Sequence, residues 1–174
     1  MRNAFARMAE ALPLHVTSLL SPELILPAIA ARSKTEMFAT LAAHVGTARP
    51  HVDGRLLEDA LHERERQSTT ALENGVAIPH VRLAGLPGPL AALARSVDGI
   101  HCDAVDGRPT HLFLLLIAAA EHPGGHLKLL ASAARLLGDA SCRAGLLAAP
   151  SADELLAVVR THELRTQRIG RRAA

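Results

Sequence analysis

Apolar positions recur at helical spacing in four stretches of this 174-residue chain and run continuously in one. Met37, Phe38, Leu41, Ala42 and Val45 form the first helical stripe. It lies behind Ser33-Lys34-Thr35-Glu36, where Ser33 and Glu36 have the spacing of a capping box, and Gly46 is the expected stop. Asp53 caps a second helix through about Arg66, with Val52 and Leu57 placed as a hydrophobic staple. Leu56, Leu57, Ala60 and Leu61 make its expected buried stripe, and Glu58, Asp59, Glu63, Arg64, Glu65 and Arg66 its polar face. After a loop over Glu121 to Gly125, His126 opens an amphipathic helix that runs through Leu137 to Gly138. Ser151-Ala152-Asp153-Glu154 is a second capping box and starts a last helix to about His162. Ser21-Pro22-Glu23 is a helix start cut short by Pro27.

The continuous run is Thr110–Ile117, and its lack of alternation predicts a strand covered on both faces. It follows the turn signal Asp106-Gly107; Leu90–Arg95 predicts another strand, and Val97–Val105 a further one with weaker support. Asn74-Gly75-Val76-Ala77-Ile78-Pro79-His80 reads as a tight turn, a short buried strand and a proline that ends pairing and presents a histidine. Helices, then strands, then helices predict an α/β chain: a three-layer α/β/α sandwich with a mixed central sheet flanked by helices. Residues 1–17 are expected to be a loosely attached leader, 18–162 one domain and 163–174 a basic, frayed tail.

Charge changes the picture only when it is divided. The net charge of +2 splits into +4 from Arg160 to Ala174, with five arginines and one glutamate, and −2 over the rest. The body is therefore not a basic nucleic-acid binder, and three Phe with no Tyr or Trp offer bases little to stack on. No run of about 18 uncharged apolar residues predicts membrane insertion. Met1–Val16 carries Glu10 and Pro13 and does not read as a secretory signal. Cys102 and Cys142 lack metal spacing, and the expectation is a reduced, cytoplasmic protein.

Of ten histidines, two stand apart. His80 sits at a strand end after a fixed turn. His126 sits at a helix N-terminus, where free amides and the macrodipole favour an anion. Brought together, they would set a nucleophilic imidazole beside an anion pocket. His122 and His126 have metal-pair spacing, but Pro123-Gly124-Gly125 between them argues against a shared helical face, so no metal and no cofactor are expected.

From Arg64-Glu65 through Ser68-Thr69-Thr70 to Asn74-Gly75-Val76-Ala77-Ile78-Pro79-His80, and again at His126-Leu127-Lys128-Leu129-Leu130, the chain resembles a known family. It is similar to the enzyme IIA component, type 2 (fructose/mannitol/nitrogen-related), of the bacterial phosphoenolpyruvate-dependent phosphotransferase system, from about Leu20 to Val159. The resemblance implies that His80 accepts a phosphoryl group from an HPr-like phosphocarrier and passes it to an enzyme IIB in sugar uptake. It implies that His126 is the second active-site histidine, and that Arg64, Thr70 and Asn74 support the phosphoryl group. The alternative is a regulatory, nitrogen-related enzyme IIA whose phosphorylation state controls binding to protein targets. Ala71-Leu72-Glu73 stands where the family has Gly-x-Gly, which places the Glu73 carboxylate near the expected anion.

Overall fold

The computed structural model describes residues 15–121 and 123–172, the side chains of 123–125 and 168–172 excepted. His122 and residues 1–14, most of the expected leader, lie outside the described residues. Among the described residues there are five α-helices: α1 (Lys34–Ala48), α2 (Gly54–Gln67), α3 (Pro123–Gly138), α4 (Ala140–Ala148) and α5 (Ala152–Arg172). Five strands form one sheet: β1 (Ile25–Leu26), β2 (Val76–Ala77), β3 (His80–Leu83), β4 (Leu90–Ile100) and β5 (Thr110–Ala119). Short 3-10 turns occupy Val16–Ser18 and Pro22–Leu24.

The sheet is mixed. β1 pairs β4 parallel, β4 pairs β5 antiparallel, and β2 and β3 both lie parallel along the other side of β5. β5 is buried along nearly its whole length, and its residues alternate between two cores. Phe113, Leu115 and Ile117 pack with Met37, Phe38, Leu41, Leu57 and Leu61 of α1 and α2. Leu112, Leu114 and Leu116 pack with Leu129, Ala133, Leu146 and Leu155 of α3, α4 and α5. A strand with helices on both faces must be apolar at every position, which is why its run lacks alternation. The expected α/β/α sandwich is therefore the observed fold.

Local expectations fare unevenly. The Ser33 hydroxyl accepts from the Glu36 amide, while the Glu36 carboxylate reaches back to the Arg32 amide rather than to Ser33. Asp53 caps α2 through the Arg55 and Leu56 amides, and Val52 and Leu57 are both buried. Leu56, expected in the buried stripe, is instead 61% exposed. Gly46 does not end α1. A Cβ there would lie 3.3 Å from the Gly54 backbone, so the glycine serves the close approach of α1 to α2. Strands expected over 90–95 and 97–105 are one strand, β4, irregular between Arg95 and Ile100. Short elements were not legible, namely β1 and α4, whose cap is the Asp139 carboxylate on the Cys142 amide.

The chain ends depart most. α3 begins at Pro123, inside the expected loop, with proline at a first-turn position that needs no donor. α5 runs on to Arg172 instead of ending near His162. Its Glu163 is buried and accepts the Val16 amide at 2.7 Å and the Thr17 amide at 3.2 Å. Val16 is itself in the core, so the strip around residue 17 and the start of the basic segment are packed against each other.

Gly99 lies in the irregular part of β4 with φ +78°, and a Cβ there would stand 2.7 Å from the His111 ring. Backbone strain and the clash act together. Gly99→Ala is expected to destabilise the fold by about 1–3 kcal/mol in urea unfolding, with the slope unchanged.

Candidate functional site

The hairpin before His80 is built by two left-handed residues. Asn74 has φ 64° and Gly75 φ 72°, conformations that asparagine and glycine tolerate best. The turn lets 70–72 fold back on β2, with the Leu72 amide on the Val76 carbonyl and the Ile78 amide on the Thr70 carbonyl. Pairing does not end at Pro79, contrary to expectation. Proline forfeits one ladder donor, but its carbonyl accepts from the Leu116 amide at 2.9 Å. Register carries through unchanged, with Ala77 opposite Phe113 and His80 opposite Leu116. His80 is thus the first residue of β3, on the face that Ile78 turns toward α3.

Both ring nitrogens of His80 are engaged. Nδ1 lies 2.8 Å from the Ile78 carbonyl oxygen, which can only accept, so Nδ1 carries the proton and donates. Nε2 then holds the lone pair, and Arg64 Nε donates to it at 3.0 Å. Arg64 comes from the last turn of α2, and its Nη1 donates to the Ser68 carbonyl and hydroxyl. His126, in the first turn of α3, is 9% exposed, and its ring centroid is 5.5 Å from that of His80. Its Nδ1 is buried without a hydrogen-bond partner among the described residues. The two imidazoles and one guanidinium form a cluster where the end of α2, the start of β3 and the first turn of α3 meet.

The electrostatics favour neutral rings. Burial holds His80 below the usual imidazole pKa, the Ile78 carbonyl opposes this, and Arg64 and Arg82 add to it. Burial likewise lowers His126, helped by His80, Arg82 and Arg64. Arg82, exposed and two residues along β3 from His80, therefore acts on both rings. Its place on the same strand face as His80 is implicit in their i,i+2 spacing.

A lowered folded-state pKa has a definite sign in stability. The unfolded chain, titrating near about 6.5, binds these protons first as pH falls. Stability contributed by the neutral rings is full above about pH 6.5 and declines as pH drops from there to the folded pKa values. Urea midpoints taken across this window should fall for wild type and fall less for a His80→Gln, His126→Gln double variant.

The other expected residues fall in different places. Thr70 is buried beside the site, but its hydroxyl donates to Glu65 Oε2 at 2.7 Å and is not free for an anion. Asn74 is at the turn, its amide on the Asp106 carboxylate, with all of β2 between it and His80. From Val76 to His80 alone is roughly 13 Å at strand rise, so neither Asn74 nor the exposed Glu73 reaches the imidazole. The structure brings together His80, His126 and Arg64, sets Thr70 one contact behind them, and leaves Asn74 out. Among the described residues no group of three or more His, Cys, Asp and Glu is placed to hold a metal ion.

Both histidines lie inside a stretch that matches a known family across nearly the whole domain. The profile described as phosphoenolpyruvate-dependent sugar phosphotransferase system, EIIA 2, matches residues 18–162. The chain belongs to this EIIA 2 family. It is 36% identical over 144 residues to a nitrogen regulatory protein of Bradyrhizobium diazoefficiens, covering 83% of this chain and 94% of that one. It is 30% identical over 148 residues to the fructose-specific EIIABC component of Bacillus subtilis, covering 85% of this chain but only 23% of that longer protein. The nitrogen regulatory protein IIA-Ntr of Neisseria meningitidis superposes with a TM-score of 0.76 at 28% identity, covering 83% of this chain and 98% of that one. No helix among the described residues of this EIIA 2 chain is long and apolar enough to cross a membrane.

Proposed function

We propose that this EIIA 2 protein is a phosphoryl carrier that takes its group on His80 Nε2. The observation that carries the reading is the pair of contacts on the imidazole, Nδ1–H to Ile78 and Nε2 facing Arg64. A ring held in this tautomer has its nucleophilic nitrogen defined before the donor arrives. In the transfer, the N–P bond of a donor phosphohistidine breaks as the His80 Nε2–P bond forms. His80 keeps its Nδ1 proton on Ile78 throughout. Arg64 leaves the Nε2 lone pair and pairs with a phosphoryl oxygen, so one guanidinium orients the nucleophile and then offsets the incoming charge. His126 and the amides opening α3 face the same group and lower the cost of its charge. Onward transfer reverses the step. Nothing in it calls for a metal.

The donor fitting this chemistry is an HPr-like phosphocarrier, and the acceptor an enzyme IIB in sugar uptake, in the cytoplasm. A second reading has a specific observation behind it: the relatives named as nitrogen regulatory proteins align over nearly their entire length. In that reading the same phosphohistidine controls binding to protein targets. Thr70 and Asn74 then act through the hairpin, and residues 18–162 form the working unit.

Incubation with phosphoenolpyruvate, enzyme I and HPr should label the protein with acid-labile, alkali-stable phosphate; an unlabelled wild type overturns the reading. His126→Ala should still accept phosphate but pass it to an enzyme IIB roughly 100-fold more slowly, the scale of a lost charge-stabilising donor. Normal onward transfer by that variant would remove His126 from the mechanism.

A further inference from the structure

Behind the histidines lies a carboxylate that the transfer itself does not use. Glu65 follows Arg64 in the last turn of α2, and its side chain is 10% exposed. Thr70 grips it three times: the amide donates to Oε2 at 3.0 Å and to Oε1 at 3.2 Å, and the hydroxyl to Oε2 at 2.7 Å. Lys34, at the start of α1, donates to Oε1 at 2.9 Å and to Asp103 at 2.7 Å. Burial opposes ionisation of Glu65, but Lys34 and Thr70 outweigh it and hold the carboxyl below the usual range. The charge is kept, and it is kept in one place.

That place joins two arms. On one side the main chain runs one residue back to Arg64, whose Nε meets His80 Nε2. On the other, Thr70 continues through its own carbonyl to the Ile78 amide at 3.0 Å, and Ile78 through its carbonyl to His80 Nδ1. One anchored carboxylate thus ties the helix end and the hairpin that grip the two nitrogens of the same ring. We propose that Glu65 is a positioning residue for the transfer, with Lys34 as the cation that holds it, setting Arg64 and the Ile78 carbonyl on opposite nitrogens of His80.

The inference rests on the carrier reading for its kinetic consequence, but the geometry can be tested without it. A misplacement of about 1 Å at a reacting centre costs up to about 100-fold in rate. Lys34→Met and Glu65→Gln should each lower the saturating rate of phosphoryl acceptance from phospho-HPr at least about 10-fold. The half-saturating HPr concentration should stay within about twofold, because Lys34 and Glu65 act here through Arg64 and Thr70 rather than on the donor. Lys34→Arg should restore most of the rate, since it returns the cation to Glu65. Wild-type rates in both variants, a loss confined to half-saturation, or an Arg variant no better than Met would each overturn the proposal. Nuclear magnetic resonance of the unphosphorylated protein reads the same arms independently. The His80 Nδ1 proton should exchange with water at least about 10-fold faster in Glu65→Gln than in wild type, at unchanged circular dichroism. Equal exchange overturns the positioning role even if transfer is observed. A wild type that takes no phosphate counts against the carrier reading alone, and the exchange comparison then decides the proposal.

Discussion

His80→Ala will take no phosphate from phospho-HPr, with labelling down by at least about 1,000-fold, because no other imidazole occupies its place. Among the described residues His126 is the rival in ring contact, 5.5 Å away between ring centroids. Its Nδ1 is buried, however, and no neighbouring carbonyl is seen on that nitrogen to select its tautomer. It receives the positive fields of Arg64 and Arg82 without the Ile78 contact that prepares His80. Mass spectrometry under alkaline conditions should place the wild-type label on His80, and a residual label in His80→Ala should be absent. A variant that labels like wild type would show that another residue carries the group. The fold itself should tolerate the change, since His80 is only part-buried and its Nδ1 bond ends on a carbonyl near the edge of the sheet.

Phe113→Ala is expected to cost about 3–5 kcal/mol, the range for truncating a fully buried aromatic. Phe113 is completely buried on β5, in register with Ala77 of β2 and Ala94 of β4, and packs in the core under α1 and α2. Its neighbours on the sheet are alanines, so the sheet itself offers no large side chain to fill the space. The loss should appear as a lower urea midpoint with little change in slope. The damage should reach function as well. β5 carries the ladder that holds Pro79 and His80, and the same core seats α2, from which Arg64 and Glu65 arise. Phosphoryl acceptance at a temperature where the variant remains folded should therefore be slower than wild type, whereas a surface change such as Leu56→Ala should leave both quantities near their original values.

The close contact of α1 with α2 shows how packing feeds the site. Gly46 and Gly54 bring the two helix backbones together, and the helix so placed ends at Arg64 and Glu65. Gly46 was read as a stop signal because glycine commonly ends helices. Local pattern carries no information about a neighbouring helix, and that neighbour decides the use of this glycine.

The sequence alone determined the layers and singled out the histidine proposed as nucleophile. An unbroken apolar strand requires cover on both faces, serine N-caps start helices at Ser33 and Ser151, and Asn-Gly before Val-Ala-Ile-Pro-His defines a turn and a presented imidazole. These are local or periodic signals, and each works through the backbone of a few residues. Contacts between distant segments were decided only in three dimensions. The broken β2–β3 edge survives its proline because Leu116 still donates to Pro79. α5 outlasts its expected end, and its Glu163 captures the Val16 and Thr17 amides. Asn74 falls away from the site because a strand of fixed rise separates it from His80, and Thr70 turns out to hold Glu65 rather than an anion. Motif spacing marks which residues belong together in sequence; which nitrogen holds the lone pair, and what keeps it so, depends on hydrogen bonds that only folding brings to about 3 Å.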